Sequence, residues 1–235
     1  MARVELDRVT FRYDDMAMSF TLTIADGECF AVIGPSGAGK TTLISLIAGF
    51  DRVLSGRVLI GGRDVTDVAP AARPVTTLFQ EHNLFAHLNA AQNIGLGIDP
   101  GLKLADDDHG RVSAALARVG LAGLEKRLPR QLSGGQRQRV ALARSLVRKR
   151  PVLLLDEPFA ALGPALRFEM LDLVDELRRS AGLTVVLVSH QPEDARRIAQ
   201  HGVFIDDGHV AATGAIPDLL DNPPNAALAA YLGIG

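Results

Sequence analysis

An α/β fold built around a buried, mostly parallel sheet is what this sequence predicts, and three features predict it. Short continuous apolar runs at Cys29–Ile33 and Val152–Leu155, and the mostly apolar Leu183–Val188, read as buried strands, the pattern of strands covered on both faces. The runs end at Gly34, at Asp156 and at Ser189-His190, and ligands of open α/β sheets bind at the carboxyl ends of strands. Helical patterns at Thr42–Ala48, Val112–Val119, Val140–Val147 and Leu166–Leu177 alternate with the runs, as this class of fold requires.

The remaining elements follow in chain order. Val4–Val9, Phe20–Ile24 and Arg57–Ile60 read as strands of an antiparallel β region near the N-terminus, and Pro74–Phe79 as a further strand. From about residue 85 to 150 the pattern is mostly helical, an insertion that Pro151 stops. The acidic run Asp106–Asp108 reads as a solvated helix start. Val203–Ile205 and Val210–Ala212 read as short strands before a C-terminal helical segment. Neither an internal repeat nor a low-complexity tract interrupts the 235 residues, which form one domain with a sizeable insertion.

Composition narrows the function classes. The chain is 47% hydrophobic with only 5% aromatic residues and no Trp, so its strands are built from Val, Leu and Ile. A net charge of −2 argues against nucleic acid as the main partner. The lone cysteine, Cys29, excludes an internal disulfide and fits a reducing compartment. The first residues lack the apolar stretch of a signal peptide. No apolar run approaches the roughly 18 residues that cross a bilayer. The expectation is a cytosolic protein whose membrane contact goes through a partner.

Two glycine turns carry the chemistry. Gly34-Pro35-Ser36-Gly37-Ala38-Gly39-Lys40-Thr41, with Thr42 following, fits G-x-x-x-x-G-K-[ST] between a strand and a helix. Its glycines allow close backbone approach to phosphate oxygens, Lys40 supplies a charge to the β/γ-phosphates, and Thr41 offers a hydroxyl to Mg²⁺. The second turn is Leu132-Ser133-Gly134-Gly135-Gln136, again just before a helix. First-turn N–H groups lack intrahelical partners and the helix dipole favours negative charge, so this is a second anion site.

Asp156 is placed to hold Mg²⁺, directly or through water, and Glu157 to orient and activate water against a γ-phosphate. Three further residues stay open on sequence grounds alone. His190 ends a strand and is either a phosphate contact or structural. Gln80 reads more readily as a surface loop residue than as a ligand of Mg²⁺ or water. Tyr13 reads more readily as a strand-edge residue than as a stacking platform for adenine. Arg137, Arg139, Arg144, Arg148, Lys149 and Arg150 read as a solvated helix face with salt bridges to neighbours.

The order of phosphate loop, Gln80, Leu-Ser-Gly-Gly-Gln, Asp156-Glu157 and His190 resembles the ATP-binding subunits of ABC transporters over nearly the whole chain. The resemblance implies a P-loop NTPase (RecA-like) core with an inserted all-helical subdomain. It implies that Tyr13 stacks on adenine, that Gln80 couples the nucleotide site to a membrane subunit, and that His190 contacts the γ-phosphate. It also implies a head-to-tail dimer in which Ser133, Gly134, Gly135 and Gln136 of one copy close on ATP held by the other. ATP closes this dimer and hydrolysis reopens it.

Within that family, Arg73-Pro74-Val75, Leu78-Phe79-Gln80-Glu81, Asn83-Leu84-Phe85 and Ala91-Gln92-Asn93-Ile94-Gly95-Leu96-Gly97 are similar to bacterial thiamine-import ATPases. That similarity implies two transmembrane permease subunits, a periplasmic thiamine-binding protein, and residence on the cytoplasmic face of the inner membrane. An importer of another solute (polyamine, iron or anion) is the alternative, ahead of a non-transport ABC ATPase or a soluble P-loop kinase. One departure stands out: Ala160-Ala161-Leu162-Gly163 occupies the place of the family's Ser-Ala-Leu-Asp. Gly163 is expected to cap the next helix, and coupling between the two ATP sites is what the missing aspartate touches.

Overall fold

The computed structural model describes residues 2–79 and 84–234. Ten strands form one sheet in the order β5-β4-β1-β2-β10-β9-β3-β8-β7-β6. Its parallel half comprises β3 (Cys29–Ile33), β6 (Val75–Leu78), β7 (Val152–Asp156), β8 (Thr184–Val188) and β9 (His201–Asp206). Its antiparallel half comprises β1 (Val4–Tyr13), β2 (Met16–Ile24), β4 (Ser55–Ile60) and the two-residue β5 (Arg63–Asp64). The hairpin partner of β9, β10 (His209–Ala215), joins the halves through one parallel pair, His209 with Ser19.

Both halves therefore match the sequence pattern. Every residue of β3, β7 and β8 is buried, including Asp156 and Thr184 at the ends of their apolar stretches. β2 alternates buried and exposed positions, as a half-solvated strand should. Elements run longer than their apolar cores suggest: after a register shift between Leu6 and Val9, β1 continues past Val9 to Tyr13, because polar residues can pair without being buried.

Between β6 and β7 the described chain holds only helical elements, chiefly α2 (Ala90–Gly95), α3 (Asp106–Arg118) and α4 (Gly134–Leu146). The acidic run supplies the first turn of α3, where negative charge suits the helix dipole. α1 (Lys40–Ala48) follows β3, α5 (Pro164–Ala181) follows β7, and α6 (Pro192–Ile198) follows β8. Two short helices, α7 (Ile216–Asp221) and α8 (Ala226–Leu232), end the chain.

The pleat of β7 sorts the helices onto two faces. Val152 and Leu154 pack with Leu43, Ile44 and Ile47 of α1. Leu153 and Leu155 pack with Val140, Leu142 and Ala143 of α4 and with Met170 and Val174 of α5. Successive strand residues point to opposite faces, so α1 and α4 lie on opposite sides of the sheet. The basic stretch of α4 is only partly a solvated face. Arg139 forms an ion pair with Glu169, but Arg144 is half-buried, and burial pulls its pKa down.

Arg73 locks the far end of α1 to the segment entering β6. Its guanidinium is 2% exposed and donates to four carbonyls: Leu46 (2.7 Å), Ile47 (2.9 Å), Thr66 (2.8 Å) and Val68 (2.9 Å). A cation at the C-terminus of α1 also meets the negative end of its dipole. Arg73→Met would leave those carbonyls without a donor. We expect a loss of about 3 kcal/mol, measured as a lower midpoint in urea at unchanged slope.

Candidate active site

The phosphate loop is shaped by what lies behind it. Gly34 ends β3 at φ 148°, and a Cβ there would sit 2.1 Å from the carbonyl oxygen of Ile205. No other residue fits between β3 and β9. The tip of the β9–β10 hairpin buttresses the loop, since Gly208 N–H donates to the Ala38 carbonyl at 3.0 Å. Gly39 then opens α1, putting Lys40, Thr41 and Thr42 in the first turn.

Lys40 reaches back onto its own loop. Its Nζ donates to the carbonyls of Gly34 (2.8 Å) and Pro35 (2.7 Å). Burial lowers its pKa, and the charges of Glu157 and Asp156 oppose that shift. Thr41 Oγ1 donates to Asp156 Oδ1 at 3.3 Å, joining the helix start to the end of β7. These two hard oxygen donors, one on a buried carboxylate, fit Mg²⁺, which takes one or two protein oxygens and completes its shell with water and phosphate.

Burial raises the Asp156 pKa, Glu157 adds to the rise, and Thr41 and Lys40 oppose it. An acid that resists ionisation in the fold but ionises freely when unfolded costs stability as pH rises above its ordinary value, 3.8. Asp156→Asn should therefore raise the melting temperature of the nucleotide-free protein at pH 7. The gain should shrink as pH falls toward 3.8, followed by scanning calorimetry across that range.

Glu157 sits in the left-handed region at φ 46°, a costly conformation for a residue with a Cβ. Its N–H donates to the Val188 carbonyl at 3.1 Å, holding the turn against β8. The turn brings Glu157 Oε2 within 3.2 Å of His190 Nδ1. Thus Gly34, Asp156, Glu157 and His190 converge at the ends of the three adjacent strands β3, β8 and β7.

The second glycine turn stands on the other face of the sheet, at the start of α4. Ser133 caps the helix: its Oγ accepts from Gln136 N–H at 3.2 Å, and Gln136 Oε1 accepts from Ser133 N–H at 2.9 Å. Gly134 and Gly135 are the first two helical residues, whose N–H groups point out of the helix end. A Cβ on Gly135 would approach the methyls of Leu166 to 2.9 and 3.0 Å, so glycine lets α5 pack closely here.

The ABC transporter family model matches residues 17–160, more than half of the chain, spanning both glycine turns and Glu157. The chain belongs to the ABC transporter family. It is 56% identical over 230 residues to the thiamine import ATP-binding protein ThiQ of Mesorhizobium japonicum, covering 98% of this chain and 91% of that protein. With ThiQ of Chelativorans it shares 57% over 233 residues, covering 99% and 95%. Among solved structures it resembles the ATP-binding cassette MJ0796, a dimer in a post-hydrolysis state bound to ADP and Pi. That likeness has a TM-score of 0.76 and 28% identity, over 92% of this chain and 99% of the other.

As an ABC ATPase the chain binds ATP, and its remaining site residues can be placed. Tyr13 is 64% exposed at the end of β1, available for stacking. Gln80 lies outside the described residues. Among the described residues, no group of three or more His, Cys, Asp or Glu side chains could hold a metal.

Sequence reasoning missed the side chains that brace Ser189 and His190 and those that fix the turn after Phe85. Tyr231 of α8 donates from its hydroxyl to the His190 carbonyl at 3.2 Å. Ser189 Oγ donates to Asp194 at 2.7 Å, and Arg167 Nε lies 3.0 Å from the other Asp194 oxygen. Burial pushes the Asp194 pKa up, against Ser189 and Arg167. Asn93, fully buried, accepts from Phe85 N–H at 2.8 Å and donates to the carbonyls of Phe85, Leu88 and Asn89. The only local hint was the acidic pair in the first turn of α6, Glu193-Asp194.

Proposed function

We propose that this chain is the ATP-hydrolysing subunit of a thiamine importer and works as a head-to-tail pair. The contact between Glu157 Oε2 and His190 Nδ1 at 3.2 Å, beside the phosphate loop, carries the hydrolytic part of this reading. ATP enters with its phosphates on the backbone N–H groups of Gly37 through Thr41, and Lys40 leaves the Gly34 and Pro35 carbonyls for the β/γ-phosphates. Tyr13 stacks on adenine. Thr41 and Asp156 would hold Mg²⁺, which would supply positive charge beside the phosphates. Glu157 takes a proton from water as its oxygen attacks the γ-phosphorus and the bond to the β-phosphate oxygen breaks, giving ADP and inorganic phosphate. His190 contacts the γ-phosphate, and Gln80 senses the same site.

Placement of α1 and α4 on opposite faces of the sheet supports a second copy as the source of Ser133, Gly134, Gly135 and Gln136. The dimeric state of the cassette MJ0796 points the same way. Among the described residues, no helix is long and apolar enough to cross a membrane; in this reading membrane work belongs to the permease subunits. A groove of about 470 Å³ is their docking place. It is lined by Phe50 and Phe79, exposed aromatics whose rings lie 5.8 Å apart, and by Arg144 and Arg148. This puts the subunit on the cytoplasmic face of the inner membrane, with a periplasmic thiamine-binding protein delivering solute across it. The substrate reading rests on the names of relatives that align along nearly the full chain.

Co-purification with the permease, followed by ATPase assays in membranes, tests the proposal. Thiamine-loaded binding protein should raise turnover, and polyamine, iron or anion should not. Turnover indifferent to thiamine would end the substrate assignment but not the ATPase assignment.

Gly163 caps α5 in an extended conformation, φ −64° and ψ 157°, and a Cβ there meets nothing within 4 Å. Aspartate therefore fits without strain, and its capping gain over glycine is only a few tenths of a kcal/mol. Gly163→Asp is expected to leave the melting temperature nearly unchanged and to raise ATPase activity, or its cooperativity in ATP, in the assembled transporter. Identical kinetics would show that the position has no part in coupling.

A further inference from the structure

We propose that the seam between the helical insertion and the sheet is a second ligand site, for a small organic phosphate with a compact apolar body. A cavity of about 420 Å³ opens there, within the ~300–1,000 Å³ range of small-molecule sites. Its floor is Val152 and Leu153 at the start of β7 and Leu183 just before β8. ATP chemistry sits at the opposite, carboxyl ends of the same strands. One wall belongs to α3 and the end of α4, so an occupant touches insertion and core together.

The lining is cationic. Arg111, Arg118, Lys149 and Arg150 border the cavity, and no described Asp or Glu does. Only Arg111 meets a carboxylate, Asp108 Oδ1 at 2.7 Å. Arg118 donates to Ser180 Oγ at 2.8 Å and Arg150 to the Ala71 carbonyl at 3.4 Å, both neutral. Among the described residues the Lys149 ammonium has no partner, and Lys149 holds φ 52°, where glycine is the usual residue.

Two donors in the lining residues lack acceptors altogether. Thr76 is 8% exposed, and its Oγ1, like Arg111 Nε, is buried with no hydrogen-bond partner among the described residues. Buried polar atoms are rarely left unpaired. A phosphate group supplies acceptor oxygens and negative charge at once. The apolar floor selects an ester with an aromatic or branched aliphatic body over the bare ion.

Phenyl phosphate is the probe. It is titrated by calorimetry into the full chain with the phosphate loop filled by a non-hydrolysable ATP analogue and Mg²⁺. Saturable binding should appear, stronger than that of orthophosphate. Arg118→Gln and Lys149→Gly should each weaken it about tenfold, the effect of one lost charge-assisted hydrogen bond. Arg118 bonds only a surface serine and Lys149→Gly suits its backbone angle, so both variants should melt like the parent. No saturable binding, equal affinity in both variants, or equal binding of orthophosphate would overturn the proposal.

Discussion

Glu157→Gln is expected to bind ATP as tightly as the parent and to hydrolyse it slower by about two to four orders of magnitude. Glutamine keeps the length and the planar end of the side chain, so the left-handed turn at φ 46° and the packing against Val188 survive. Its amide oxygen can still face His190 Nδ1, but it cannot take a proton from water. Binding and chemistry should separate cleanly: unchanged affinity in equilibrium titration, almost no phosphate release. Because ATP then persists, the closed pair should accumulate, read as a shift to dimer in size-exclusion chromatography with ATP. Parental turnover would remove Glu157 from the chemistry.

Lys40→Ala should fail one step earlier, at binding. The ammonium is engaged by two carbonyls, at 2.7 and 2.8 Å. ATP gains only the difference between phosphate and those carbonyls, which a charge-assisted contact puts at one to two orders of magnitude in affinity. Arginine should not rescue it, since a planar fork cannot replace a compact ammonium in so tight a loop. The melting temperature should fall as well, because the buried Gly34 carbonyl would lose a charged donor. Affinity within threefold of the parent would contradict this role.

What could be read from the chain, and what could not, divides by the range of the interaction. Gly34 through Thr41, the Asp156-Glu157 pair and the Ser133–Gln136 turn were legible because each is a local conformation written in adjacent residues. β3, β7 and β8 were legible because burial on both faces leaves a mostly apolar run. Glu157's positive φ was not, since nothing nearby marks it; the turn is imposed by Val188, on another strand. Tyr231 was missed for the same reason. It reaches a carbonyl 41 residues away, and a tyrosine in a short Ala-rich helix carries no local signature. Arg167, Ser189 and Asp194 meet only because α5 and α6 pack together.

The bare first turn of α4 has a mechanical meaning beyond anion binding. Leu166, nested against Gly135, lies on the helix that begins seven residues after Glu157. The two helices mesh there like cogs with a missing tooth, with almost no clearance. In the proposed pair, the turn of α4 would rest on the neighbour's nucleotide, while the start of α5 follows the turn that carries Glu157. Displacement at one therefore presses on the other through van der Waals contact alone. Such a linkage could pass news of one ATP to its twin even where Gly163 offers no side chain to do so.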